Sequence, residues 1–305
     1  MEERIFITGA TGNTGQALLR LISGDAAFGQ TRITCVSRPV GRAERLLPFG
    51  VRIVGGDASS AGSLKNVYRG EEAVILISSI FHARTVLEGC RGMKRLIAIS
   101  STGVFSSYRA VASEIEAAER AIAQSGIPFT ILRPTMIYGT PEDRNVSRLI
   151  RVVRKYPVIP LPGGGKSIFQ PVHVSDLAAC IILALKTPAS IGKSYNIPGG
   201  SAHSLREIVG IISKTLGKKV LTVPFPLRLA EAAVKYHEKH SPRPVIRKEQ
   251  IERLREDKQF DFSEAARDLG YAPRHFTEGV AQEIRSMLAM DTQADARGGG
   301  IFRGM

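Results

Sequence analysis

The sequence predicts an α/β chain: a doubly wound parallel sheet with a smaller C-terminal α/β lobe. Three observations carry that expectation. Short unbroken apolar runs alternate with helix-period stretches over roughly the first 135 residues. A glycine-rich turn directly follows the first of these runs. After Tyr138-Gly139 the alternation stops. Strands apolar throughout, separated by helices, indicate a sheet covered on both faces.

The predicted strands are Arg4–Thr8, Ile33–Val36, Val51–Val54, Ala73–Ile77, Leu96–Ile99 and Phe129–Leu132. Gln16–Ile22 and Ser113–Gln124 read as helices between them. Beyond residue 139, Asn145–Lys155 reads as a basic amphipathic helix, and a helix enters at Ser175. Ser204-Leu205-Arg206-Glu207 is a capping box opening a helix to Leu216, with Gly217 as its stop. VLTVPFP reads as a strand running into a Pro-broken turn, and Leu227–Glu238, Arg247–Arg255 and Ser263–Leu269 as helices. The expected domains are 1–140, with 167–190 returning to it, a C-terminal lobe over 141–290, and a flexible tail over 291–305.

Composition excludes several classes. The 305 residues are 43% apolar and 23% charged, ordinary for a globular protein. Gly 30 and Pro 16 occur without a period, against a collagen-like or low-complexity chain. Cys35, Cys90 and Cys180 are odd in number and widely spaced, so they read as reduced thiols of a cytoplasmic protein and not as a disulfide framework. No apolar run reaches the length of a membrane span, and no signal peptide is evident at MEERIFITGA. A formal charge of +14 points to acidic partners.

Gly9, Gly12 and Gly15 form T-G-x-x-G-x-x-G between a predicted strand and a predicted helix. That context is what dinucleotide binding requires, because glycines let a pyrophosphate approach bare backbone at a helix start. An acidic residue at the end of the second strand would bind an NAD ribose. Here that strand ends Val36-Ser37-Arg38, with Arg42 and Arg45 nearby, which favours NADP, with NAD as the alternative. Cofactor contacts are expected from Gly9, Thr11, Gly12, Asn13, Thr14 and Gly15. Further contacts are expected after successive strands: Ser37 and Arg38; Asp57 and Ala58; Ile77, Ser78 and Ser79; Ser100; then Pro134 and Met136.

At this point the sequence resembles the short-chain dehydrogenase/reductase superfamily, in its extended, nucleotide-sugar epimerase/dehydratase-like branch. The matching segments are ITGATGNTG, GD (56–57), ISST (99–102), ILRPTMIYG, FQPVHVSDLA, YNIPGG and FDFSEAARDLGYAPR. The resemblance implies a Rossmann domain holding NAD(P), a C-terminal lobe closing over substrate, and pairing into a homodimer. It also implies a hydroxyl after the fifth strand and a Tyr-x-x-x-Lys pair on the next helix, the Lys lowering the pKa of the Tyr. The hydroxyls are present as Ser100, Ser101 and Thr102. The pair is not: its positions fall on Val111 and Ile115, and no Lys occurs between Lys94 and Lys155. Tyr108 is the nearest phenol, so Ser101, Thr102 and Tyr108 are the catalytic candidates. Among atypical members the chain is similar to NmrA-like redox sensors and to the complex-I accessory subunit family.

Arg144, Arg148 and Arg151 share a helical face with Lys155, and guanidinium forks suit a diphosphate, so they are the substrate-binding candidates. The alternative is a solvated face. His173 lies between apolar residues and reads as structural. His237 and His240 lack a third ligand, so no metal site is expected. The leading function is an NADP-dependent oxidoreductase or epimerase-like enzyme acting on a small molecule, a nucleotide sugar or another phosphorylated compound. The second is a non-catalytic NADP(H) sensor or assembly subunit. The third is a nucleic-acid-binding relative, ranked lowest because aromatic residues are 6% with Trp 0.

Overall fold

A computed structural model of the chain describes residues 4–38, 42–229, 232, 234–235 and 256–298. The chain divides into two units. The first holds Met1–Thr135, Val174–Pro198 and Phe260–Pro273, the second Met136–His173, Gly199–Gln259 and Arg274–Met305.

The first unit is built on seven strands: β1 (Arg4–Thr8), β2 (Arg32–Ser37), β3 (Arg52–Gly55), β4 (Ala73–Leu76), β5 (Arg95–Ile99), β6 (Phe129–Pro134) and β11 (Lys193–Ile197). They lie in the order β11-β6-β5-β4-β1-β2-β3, and every pairing is parallel. The order reverses between β1 and β4. In an open parallel sheet that reversal is where a crevice opens at the carboxyl ends of the strands. All four residues of β4 are buried, as a strand covered on both faces requires.

Helices α1 (Asn13–Ser23), α2 (Ala61–Val67), α3 (Ala83–Gly89), α4 (Arg109–Ala123), α6 (Val174–Lys186) and α8 (Ser263–Leu269) complete the unit. α1 turns Ala17, Leu18, Leu19 and Ile22 inward and packs on α6. Phe6, Val74, Leu76, Leu96 and Ala98 meet Leu64, Val86, Ile115 and Ile122 in one apolar core. β11 was not among the strands read from the sequence. It is an edge strand of alternating burial, so it lacks the continuous apolar run that marks the inner strands. Its Lys193 and Tyr195 side chains both donate to Asp268 of α8, at 2.8 and 3.0 Å. Cys35, Cys90 and Cys180 are all free and buried, and burial pushes the first two thiols up to about 12.

The second unit holds β7 (Ile137–Tyr138), β8 (Val158–Pro162), β9 (Ile168–Phe169), β10 (Val172–His173), β12 (His203–Ser204) and β13 (Leu221–Phe225). They form three two-stranded sheets, β7 with β10, β9 with β12, and β8 with β13. Around them lie α5 (Val146–Lys155), α7 (Leu205–Thr215) and α9 (Phe276–Gly298). The capping box at Ser204 and Glu207 forms as the sequence predicts. A frayed tail was expected from residue 291, but α9 continues to Gly298. The helices expected over Arg247–Arg255 and most of Leu227–Glu238, and with them His237 and His240, lie outside the described residues. So does the end of the expected tail, residues 299–305.

Glu283 of α9 is wholly buried, and one carboxyl oxygen accepts from the Gly139 amide at 3.2 Å. Its other oxygen and Asp143 Oδ2 are both buried and lack a hydrogen-bond partner unless one carries a proton. A proton held on Glu283 and donated to Asp143 satisfies both. Burial, then the hydrogen bond and the charge of Asp143, push the Glu283 carboxyl up from 4.5 to about 10. Between those values the unfolded chain releases a proton that the folded chain keeps, so this group lowers stability as pH rises through that window and has no effect below it. Glu283→Gln keeps the donor and the shape without the titration. It is expected to raise unfolding free energy at pH 8 by several kcal/mol, up to about 5 for the 3.5 pH units above 4.5, and to leave it unchanged at pH 4, as read by urea unfolding at the two pH values.

Candidate functional site

The loop from Thr8 to Gly15 joins β1 to α1 at the point where the strand order reverses. Gly9 has φ +79°, and a Cβ there would lie 2.5 Å from the Ser78 amide nitrogen at the end of β4. A Cβ on Gly15 would overlap the Ala10 backbone. Neither position accepts a side chain. Gly12 differs: its nearest atom is the Gly9 carbonyl oxygen at 3.4 Å, so its bare face is open. Gly12 is also the N-cap of α1 and supplies no side chain to it, and the first turn carries no acid. The positive end of the helix dipole thus faces outward beside exposed backbone, the arrangement that holds a pyrophosphate.

Neighbouring strand ends extend the site along the same edge. Thr8 Oγ1 lies 3.1 Å from Ser78 Oγ, which lies 3.1 Å from His82 Nδ1. Ser79 Oγ accepts from Phe81 N at 3.3 Å and caps a short turn over Ile80–His82. After β3, Asp57 Oδ1 accepts from the amide and hydroxyl of Ser59, at 2.9 and 2.8 Å. These bonds hold its carboxyl below the usual range, with smaller contributions from the charges of Arg38 and His82. Ser37 is buried and donates to the Arg38 carbonyl, which leaves the Arg38 side chain exposed beside Asp57. Ala58 is buried, and its carbonyl accepts from Thr85.

At the end of β5, Ser100 Oγ donates to Glu119 of α4 at 2.6 Å, and Glu119 also takes a two-pronged bond from Arg133, down to 2.6 Å. The Ser100 hydroxyl proton is therefore committed to a buried ion pair. Ser101 Oγ accepts from Gly103 N at 3.0 Å, and Thr102 Oγ1 donates to the Pro134 carbonyl at 3.3 Å. Tyr108 stands half-buried at the start of α4. Ile115 is 3% exposed, and its terminal methyl would lie 3.2 Å from a Cβ on Gly103. The position where the resemblance would set a lysine is thus an apolar plug beneath the Ser101–Gly103 turn.

The strand ends bring together Gly9, Gly12, Gly15, Ser78 and Ser79, then Arg38 with Asp57, then Ser101, Thr102 and Pro134. Met136 and the three arginines belong to the second unit. Arg144 and Arg148 are exposed there, whereas Arg151 donates to the Pro141 carbonyl and Ser147. Arg154, on the same helix, pairs with Asp291 of α9, so the basic run is partly neutralised by an acid distant in sequence. His173 is buried edge-on to Tyr138, ring centroids 5.3 Å apart. His82 and the Glu119–Arg133 pair were not found from the sequence. A lone His after SSIF carries no motif, and Glu119 and Arg133 are joined only by the fold.

Residues 9–188 match a family model described as NAD(P)H-binding. Over 146 residues the chain is 36% identical to subunit 9 of the NADH dehydrogenase [ubiquinone] 1 alpha subcomplex of Arabidopsis thaliana, covering 47% of this chain and 36% of that protein. It is 25% identical over 224 residues to quinone oxidoreductase 2 of Escherichia coli, covering 71% of this chain and 76% of that one. The chain spans less than two thirds of the length of the first curated relatives it matches. In fold it is similar to the UDP-glucuronic acid 4-epimerase of Bacillus cereus solved with UDP-glucuronic acid and NAD. The TM-score is 0.72 at 17% identity, covering 94% of this chain and 99% of that one.

Glu119 and Arg133 are mostly buried, their side chains 9% and 20% exposed. Arg133→Met leaves a buried carboxylate with one hydroxyl for company and is expected to lower unfolding free energy by about 3 kcal/mol. The double variant Glu119→Gln/Arg133→Met removes the stranded charge and is expected to recover part of the loss. Guanidinium unfolding midpoints of the three proteins check both statements.

Proposed function

The chain belongs to the NAD(P)H-binding family, and on that premise we propose an NADP(H)-dependent oxidoreductase that works without a Tyr-x-x-x-Lys pair. One observation carries the reading: a glycine turn with no room for side chains at Gly9 and Gly15, open at Gly12, at the uncapped start of α1 and at the sheet's reversal point. The turn fits a dinucleotide because the open backbone and the helix end suit a pyrophosphate of about two negative charges.

In this reading Gly12, Asn13 and Thr14 hold the pyrophosphate, and Gly9 and Gly15 give the backbone its close packing. Arg38 pairs with the 2′-phosphate, and Asp57 and Ala58 lie against the adenine. Ile77 to Ser79 line the adjoining ribose, with Ser100 and Pro134 towards the nicotinamide. When bound, the nicotinamide supplies or accepts a hydride. Ser101 and Thr102 hydrogen-bond the substrate oxygen and orient it, and Tyr108 is the proton donor. Arg144, Arg148 and Arg151 favour a phosphorylated substrate, and the fold likeness to a nucleotide-sugar epimerase supports that class.

A second reading is a non-catalytic NADP(H)-binding sensor or assembly subunit. The apolar plug at Ile115 favours it, since no cation stands there to lower the pKa of a phenol. The likeness to a subunit of a respiratory complex favours it too. The two readings separate on turnover: oxidation of NADPH in the presence of quinones or sugar nucleotides supports the enzyme, and binding with no turnover across the panel supports the sensor.

Two variants test the site itself. Gly12→Val, at the position whose backbone is extended and whose bare face is open, is expected to abolish NADPH binding in a folded protein, checked by calorimetric titration beside circular dichroism. Arg38→Ala is expected to weaken NADPH by at least about tenfold, the loss of one charge-assisted pair, while leaving NADH unchanged. Equal losses for both cofactors would remove Arg38 as the residue that selects the phosphate.

A further inference from the structure

One small sheet of the second unit carries apolar side chains on both faces. β8 reads VIPLP and β13 reads LTVPF. The strands are parallel, with Val158 opposite Leu221 and Pro160 opposite Val223. Side chains alternate along a strand, so direct partners share a face. Ile159 and Leu161 point one way, into the core that holds Val153, Ile208 and Ile212. Val158, Pro160, Leu221 and Val223 point the other way, and all four are exposed. Val158, Leu221 and Val223 are 48%, 63% and 41% exposed, and Tyr156, just before β8, is 49% exposed. A sheet with one wet face places polar residues on it. β8 instead has the unbroken apolar run of a strand covered on both sides, and β13 departs from such a run only at Thr222.

The rim of the outer face is basic. α5 ends at Lys155, directly before Tyr156, and Lys218 and Lys219 stand three and two residues before Leu221. All three lysines are exposed. The Leu221 amide donates to the Pro157 carbonyl at 2.9 Å, so the two basic segments reach the same end of the sheet. The Lys218 ammonium donates to the Arg154 carbonyl, which joins them directly. Lys155 Nζ stands 5.4 Å from the centroid of the Tyr156 ring. Residues 144–175 and 208–229 contain no Asp or Glu. Arg154 is paired with Asp291, but among the described residues no carboxylate lies within ion-pair distance of Lys155, Lys218 or Lys219.

We propose that this face docks the protein on the surface of a membrane rich in anionic phospholipid. Exposed aliphatic side chains enter the boundary of the acyl region, and a tyrosine sits at the level of the headgroups. Lysines on long apolar stems reach lipid phosphates from the edge of such a patch. The same residues suit the other occupants less well. Contacts between proteins are depleted in lysine. A second copy meeting the first through this face would add three more lysines and no acid from either segment. The docking is peripheral, since no described helix is long and apolar enough to cross a membrane. The face shares no residue with the glycine turn, so the inference does not rest on the dinucleotide reading.

The probe is a phosphatidylcholine vesicle prepared with and without phosphatidylglycerol, and the assay needs no cofactor. The protein is expected to sediment with the anionic vesicles at low salt and not with phosphatidylcholine alone. Binding is expected to weaken as salt rises towards about 0.5 M. Leu221→Thr/Val223→Thr keeps strand-forming residues at exposed positions, so it is expected to hold its Tm. Its affinity for the vesicles is expected to fall at least about tenfold. Lys155→Gln/Lys219→Gln is expected to lose at least about tenfold at low salt. Arg84→Gln/Arg91→Gln removes the same charge from exposed positions of the first unit and is expected to keep most of the binding. No sedimentation with anionic vesicles overturns the proposal. So does unchanged affinity in Leu221→Thr/Val223→Thr, or a loss in Arg84→Gln/Arg91→Gln equal to that of the lysine variant. A dimer in sedimentation velocity that Leu221→Thr/Val223→Thr dissolves assigns the face to a second copy and overturns it as well.

Discussion

Gly9 rests against the amide of Ser78, and the rest of the first unit is arranged around that contact. It brings the loop after β1 against the loop after β4, the two strands between which the sheet reverses direction. A side chain at Gly9 would separate the two loops, and one at Gly15 would push α1 off the backbone it crosses. The hydroxyls of Thr8 and Ser78 then meet at 3.1 Å, which ties β1 to β4 beyond the last ladder bond. The local rule that makes this turn tight is the same one that leaves its amides bare. Packing and ligand affinity are here a single constraint.

Most of this was legible in the residues. β1, β4 and β5 are continuous apolar runs, and a run of that kind between turn residues has few other solutions. The glycine spacing, the missing acid at Arg38 and the capping box at Ser204 each act within a few residues of sequence. β11 was hidden because an edge strand buries only half its side chains. α9 is not among the helices the sequence marks, and its last turns, polar and running into glycines, read as a flexible tail. The Glu119–Arg133 pair was hidden because the two residues lie 14 apart on different elements, with nothing in either segment to mark a partner. Local signals fix elements; long-range polar contacts wait for the fold.

Those contacts decide what the site has available. Ser100 has the sequence of a catalytic or cofactor-binding hydroxyl, yet it donates inward to Glu119. Ser101 caps a turn, and Thr102 ties that turn to the Pro134 carbonyl. Each hydroxyl thus carries a structural bond. Ser101 accepts its bond from Gly103, so that bond does not use its own proton. Thr102 donates its bond, so its oxygen retains accepting capacity instead. The two hydroxyls are bonded in opposite senses, one accepting and one donating.

The apolar plug at Ile115 sets the remaining limit. Its terminal methyl reaches the underside of the Ser101–Gly103 turn, and it belongs to the same buried apolar core as Val74, Leu96, Ala118 and Ile122. An ammonium placed there would lose its water without gaining a counter-charge, because Glu119 is already held by Arg133. Burial on those terms drives a lysine toward its neutral form. A neutral amine lowers no phenol's pKa. Restoring one residue of the absent pair would therefore not restore its chemistry, since the ion pair that occupies Glu119 and the packing under Gly103 would both have to change with it. The departure from the usual pattern is thus spread over α4, β6 and the turn between β5 and α4, and belongs to the packing of the unit more than to any one position.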